Sequence, residues 1–173
     1  HHFDAVVNDK DLWETYLPAF KALVQKTKVK EVMCAYNRYE GDPCCGSDRL
    51  LMQILREEWG FEGIVVSDCG AIRDFFLKNH HETHKDRDDA SAAAVLSGTD
   101  LECGSSYKGL IDAVKKGYIK ESEIDRSVRR LFQARFELGE MDPSTPWDTI
   151  PASVINSRKH QQLALDMARK SIV

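Results

Sequence analysis

Apolar positions recur along this chain in two rhythms. Over residues 8–26, Leu12, Tyr16, Phe20 and Leu23 fall at helical spacing, which predicts a helix with one buried face. Asn8 or Asp9 can cap it, and Pro18 is expected to kink it. Ser47 can cap a second helix, striped by Leu50, Leu51, Ile54 and Leu55 and closed by Gly60. Short apolar runs at 31–37, 63–68 and 99–103 carry no helical period and predict strands. Ile64, Val65 and Val66 are branched neighbours, as in a strand buried on both faces of a parallel sheet. Further helices are expected over 71–77, 90–96 and 107–116. A long one follows, with Ser122 and Asp125 resembling a capping box and Ile124, Val128, Leu131 and Phe132 on one face. Gly139 stands where a helix-ending glycine belongs.

Helices and strands alternate, which argues for parallel βαβ units. After Gly139 the pattern breaks. Residues 140–151 hold three prolines and read as a linker, and residues 157–173 start another helix. The chain opens on His1-His2-Phe3 and stops on an apolar stretch, so it is expected to be a piece of a longer protein.

Composition narrows the functions. Hydrophobic residues make up 42% and charged residues 30% of the 173, enough for a core. The formal net charge is −4, which gives no basis for nucleic-acid or anionic-membrane binding. No apolar run approaches a membrane span. The five cysteines make no CxxC pair or zinc-like spacing, and adjacent Cys44 and Cys45 suit a mutual disulfide poorly. They are expected to be scattered, half-buried thiols.

The strand ends hold the candidate chemistry. In parallel α/β folds, ligands meet the carboxyl ends of strands. Asp68 ends the most apolar strand, where a carboxylate can serve as nucleophile, base or metal ligand. It can equally cap the helix opening at Ala71. Tyr36 and Asn37 end the first strand and Glu102 the third, so one rim collects a ring and several polar groups. Met33 and Tyr36 also read as core residues. "HHETH" at 80–84 sets His80 and His84 four apart, but it is not HExxH, and its charged flanks favour a solvated loop over a zinc site. Neither a glycine-rich phosphate loop nor a GxSxG elbow is present. No motif calls for a metal or a cofactor.

Five segments together resemble glycoside hydrolase family 3: "DLWETYLPAFKALV", "VMCAYNRYEGDPCC", "LLMQILREEWGFEGIVVSDCGAI", "SGTDLECG" and "SVRRLFQARFELGEMD". The resemblance covers nearly the whole chain, in the family's order. It implies an α/β fold, the last three β/α units of a (β/α)8 barrel over 1–139, a linker over 140–157, and the start of an α/β sandwich domain over 158–173. It implies a retaining exo-acting β-glycosidase, a β-xylosidase or β-glucosidase, with Asp68 as nucleophile. Met33 and Tyr36 would line the sugar site, with Cys69 where many β-glucosidases carry Trp. A non-catalytic carbohydrate-binding or scaffold module of the same fold is the alternative. The implied partners are a β-linked oligosaccharide or aryl glycoside and the rest of the same polypeptide: an upstream barrel half and a downstream domain with the acid/base. The family also suggests a periplasmic or secreted location.

Overall fold

In a computed structural model that describes residues 1–172, the chain divides into two compact units, His1–Arg135 and the residues from Phe136 onward. The second unit holds the turns after Gly139 and the helix Arg158–Ser171, capped by Ser157, whose hydroxyl accepts from His160 N–H.

The first unit is built on two parallel strands, β2 (Glu31–Cys34) and β5 (Ile64–Ser67), with Met33 opposite Val66 and Cys34 opposite Ser67. The third expected strand is reduced to one parallel bridge, Val66 with Leu101, made by Leu101 N–H to the Val65 carbonyl (3.1 Å) and Ser67 N–H to the Leu101 carbonyl (2.8 Å). A second sheet was not visible in the apolar pattern. β1 (Asp4–Ala5) runs parallel to β3 (Arg38–Tyr39), which turns back antiparallel into β4 (Asp42–Pro43). These strands are two residues long, too short to show a period of two.

The helices form largely where the stripes put them. Asn8 accepts from Asp11 N–H at 2.9 Å and starts the first helical run, which continues to Thr27. Its turn ahead of Pro18 widens, with Leu17 N–H bonded to the Leu12 carbonyl five residues back. Pro18 opens the next segment at its first position, where a missing N–H loses nothing. Ser47 caps the helix Asp48–Glu58 through Leu50 N–H. Asp86 caps Arg87–Leu96, which starts three residues before the helix predicted over 90–96, by accepting from Asp89 N–H. The predicted helix over 71–77 shortens to Ala71–Asp74.

Only one face of the β2–β5 pair is covered. Val65, Cys34 and Ser67 are buried under helices with Ile54, Leu55, Ile72 and Phe75. Ile64 and Val66 are half-buried, and Met33 is 58% exposed. The expectation of burial on both faces therefore fails, because nothing among the described residues covers the second face. Branched runs record strand preference as well as burial, and the two cannot be separated by composition.

At the amino end of β5 a buried charge group locks the layers. Asp100 pairs with Arg56 at 2.6 Å and Arg130 at 2.8 Å, and accepts from Val65 N–H at 3.0 Å. Arg56 also donates to the carbonyls of Phe61, Gly63 and Gly98. Removing one partner from such a group costs roughly 3–5 kcal/mol, because the remaining charge is stranded in a poor solvent. Gly63 is required here by space: a Cβ would lie 2.3 Å from the Lys30 carbonyl oxygen.

Candidate active site

Three chain crossings meet at the carboxyl end of the β2–β5 pair. Asp68 follows β5 directly, and its N–H bonds the Cys34 carbonyl at the end of β2 (3.2 Å). The backbone then turns sharply at Gly70, whose φ of +84° favours glycine. Gly70 N–H donates to the Cys103 carbonyl at 2.7 Å, and Cys103 N–H donates to Ser67 Oγ at 3.0 Å. The ends flanking Asp68 are thus tied to one another by the main chain.

They are also tied covalently. Cys69 and Cys103 form a disulfide with Cα atoms 4.4 Å apart, and Cys34 and Cys45 form a second at 5.1 Å. This corrects the expectation of scattered thiols. Only Cys44 is free, and burial pushes its thiol up to about 11. The signal was available in part: Cys69 and Cys103 fall at the ends of two predicted strands, and neighbouring parallel strands bring such positions within bonding range. For Cys34 and Cys45 no spacing rule pointed to the pairing.

Asp68 is partly exposed, and its Oδ1 accepts from Cys69 N–H at 2.7 Å. Tyr36 donates its hydroxyl to the Cys69 carbonyl. Burial, and then the charge of Asp68, hold the Tyr36 phenol above its ordinary range, so it remains a proton donor near neutral pH. Asp68 and Tyr36 therefore share one rim, as the strand ends predicted. Met33 lies on the uncovered face of β2, and Cys69 is exposed beside Asp68 but held in its disulfide. Glu102 is committed elsewhere: its carboxylate accepts from Ser106 N–H (2.8 Å) and Tyr107 N–H (2.6 Å), closing the turn into the next helix. Asp68 caps no helix by its side chain; the position ahead of Ala71 is Gly70, with no side-chain cap bond.

The loop at 80–84 differs from the solvated segment expected. His81 is 5% exposed, and its Nε2 lies 2.7 Å from the Tyr36 carbonyl, steadying the main chain under the phenol. His84 packs on the Phe75 ring at 5.2 Å. His80 turns to Asp74, with Nδ1 2.8 Å from Oδ1, and His1 Nδ1 contacts the other oxygen of that buried carboxylate. The His1 ring stands 4.5 Å from the Tyr36 ring. Polar flanks in the sequence hid His81, whose partner Tyr36 lies 45 residues away, while His80 and His84 meet Asp74 and Phe75 nearer in the chain.

Comparison with known proteins resolves the family. The model of the glycosyl hydrolase family 3 N-terminal domain matches residues 2–134. The chain belongs to glycoside hydrolase family 3. It is 54% identical over 171 residues to a xylan 1,4-beta-xylosidase of Xylanibacter ruminicola, covering 96% of this chain and 20% of that protein. A beta-xylosidase/alpha-L-arabinofuranosidase of Medicago sativa subsp. varia is 38% identical, with 99% and 22% covered. A solved family 3 exo-beta-xylosidase bound to a xylobiose aziridine probe superposes with TM-score 0.82 at 33% identity, over 86% of this chain and 20% of the other. A beta-glucosidase involved in saponin metabolism from intestinal bacteria gives 0.83 at 33% identity, over 97% and 22%. The α/β fold is therefore that of family 3 glycosidases, and the chain spans about a fifth of the length of these relatives.

Proposed function

We propose that the chain supplies the nucleophile side of the active site of a retaining, exo-acting β-glycosidase, with β-xylosides as the preferred substrates. The observation that carries this reading is Asp68 on the open carboxyl rim of the strands, with the Tyr36 hydroxyl bracing the Cys69 carbonyl beside it. The names of the relatives support xylose over glucose. In this reading residues 1–139 are the last three β/α units of a (β/α)8 barrel, 140–157 a linker, and 158–173 the start of the next domain. The uncovered face of β2 and β5 suits a barrel interior completed by other sequence. Two disulfides suit an oxidising compartment, periplasmic or extracellular.

The proposed chemistry needs two carboxyl groups. The Asp68 carboxylate attacks the anomeric carbon and forms a glycosyl ester as the aglycone oxygen departs. A second carboxyl group protonates that oxygen, then activates the water that hydrolyses the ester. Retention needs the two carboxyls roughly 5–5.5 Å apart. The family resemblance sets the acid/base in sequence outside this chain, and Glu102 is occupied by backbone donors. Met33 and Cys69 form parts of the sugar-facing wall.

Asp68→Asn in the full-length protein tests this. Turnover of aryl β-xylosides falls on the order of 10³-fold or more, as when a covalent nucleophile is removed. An unchanged rate rules the reading out and leaves a carbohydrate-binding or scaffold role. The 173-residue chain alone is expected to be inactive, since it holds half of the pair.

A further inference from the structure

Asp74 is only 1% exposed, yet no lysine or arginine pairs with it among the described residues. A buried carboxylate without a strong cationic partner is costly. Its two oxygens instead face two imidazoles. Oδ1 lies 2.8 Å from His80 Nδ1, and Oδ2 contacts His1 Nδ1. The three donor atoms lie within 4.8 Å of one another. His80 Nδ1 is buried and, despite its nearness to Oδ1, makes no aligned hydrogen bond. At 2.8 Å nothing fits between that nitrogen and Oδ1 as they stand, but with no aligned bond to break, the ring can turn its lone pair to an ion after a small movement.

Two imidazole nitrogens and one carboxylate oxygen, with a fourth position left to water, is a donor set that zinc accepts. Tetrahedral bonds of about 2.0–2.1 Å set donors roughly 3.3 Å apart, so small side-chain movements suffice. We propose that His1, Asp74 and His80 form a divalent-metal site of the zinc class, tying the segment that enters β1 to the turn after the Asp68 strand. The site backs Tyr36 through the His1 ring. It is distinct from the HxxxH spacing of His80 and His84, because His84 faces Phe75 instead. It is independent of the glycosidase reading, and its test needs no sugar.

The full-length protein is stripped with EDTA, then titrated with Zn²⁺ by calorimetry and with Co²⁺ by visible absorption. Wild type takes up one equivalent per chain at this site, with Co²⁺ giving the intense bands of low coordination. His80→Gln and His1→Gln each weaken Zn²⁺ by more than about 100-fold, beyond the 10–100-fold typical of losing an outer partner. Circular dichroism and Tm of each variant are measured beside the titration, so that lost Zn²⁺ affinity in a variant folded as wild type supports the proposal even if an Asp74 variant fails to fold. His84→Gln binds as wild type. No uptake by wild type overturns the proposal, as does affinity unchanged in both the His1 and His80 variants, or affinity lost only in the His84 variant. Any of these leaves an ionic hydrogen-bond chain.

Discussion

The Tyr36 hydroxyl donates to the carbonyl of Cys69, the residue that follows Asp68. One ring thus braces the turn that aims the carboxylate, its single hydroxyl proton being given to that carbonyl. The phenol is raised by burial and then by the Asp68 charge, so it does not ionise at working pH. Tyr36→Phe removes the hydroxyl and keeps the ring. In the full-length protein its kcat/KM on aryl β-xyloside is expected to fall about 10–100-fold, the cost of roughly 1.4–2.7 kcal/mol of transition-state stabilisation, with Tm nearly unchanged. A rate equal to wild type would remove Tyr36 from the site.

The Cys69–Cys103 disulfide closes a loop of sequence separation 34 around the site. Replacing both residues with alanine is expected to lower stability by about 2–4 kcal/mol, since the unfolded chain regains its freedom. Activity should fall more than unfolding explains, because Cys69 borders Asp68. Thiol counting gives an independent check: the native chain shows no reactive thiol, as Cys44 is buried and its thiol raised to about 11. The denatured, unreduced chain shows one thiol, and the reduced chain five. Three thiols without reductant would contradict one bond, and five would contradict both.

Acid sensitivity should centre on His81 and His84. Desolvation lowers both pKa values below the ordinary histidine value near 6.5. Folded, each imidazole stays neutral, while the unfolded chain takes up protons as pH drops through about 6.5. The unfolded state then binds more protons, so stability declines from that pH downward and levels off below the depressed folded values. Unfolding midpoints in denaturant measured from pH 7.5 to 5 should decline less steeply in His81→Gln, whose amide can still donate to the Tyr36 carbonyl. Equal slopes in variant and wild type would mean His81 does not carry the effect.

Much of the fold was legible because local rules and burial agreed. Asn8 and Ser47 cap the helices that their side chains suggested, and Glu31–Cys34 and Ile64–Ser67 pair in parallel as the alternation required. The third strand was overestimated. Leu101 is bonded to β5 by a single bridge, while Glu102 turns to cap the next helix. The rim was legible too, since strand ends are fixed by strand positions, and Asp68 and Tyr36 meet there. The Asp74 cluster was not: His1 and Asp74 are 73 residues apart, and no periodicity relates them. The Arg56–Asp100–Arg130 group escaped for the same reason.

The central claim is that Asp68 becomes covalently bound to the sugar. Full-length enzyme is inactivated with an activated 2-deoxy-2-fluoro-xyloside, digested, and mapped by tandem mass spectrometry. One sugar on Asp68, in the peptide containing "GIVVSDCGA", is the predicted result, with slower labelling by the glucose analogue. A label on any other carboxylate, or turnover that leaves no covalent adduct, contradicts it.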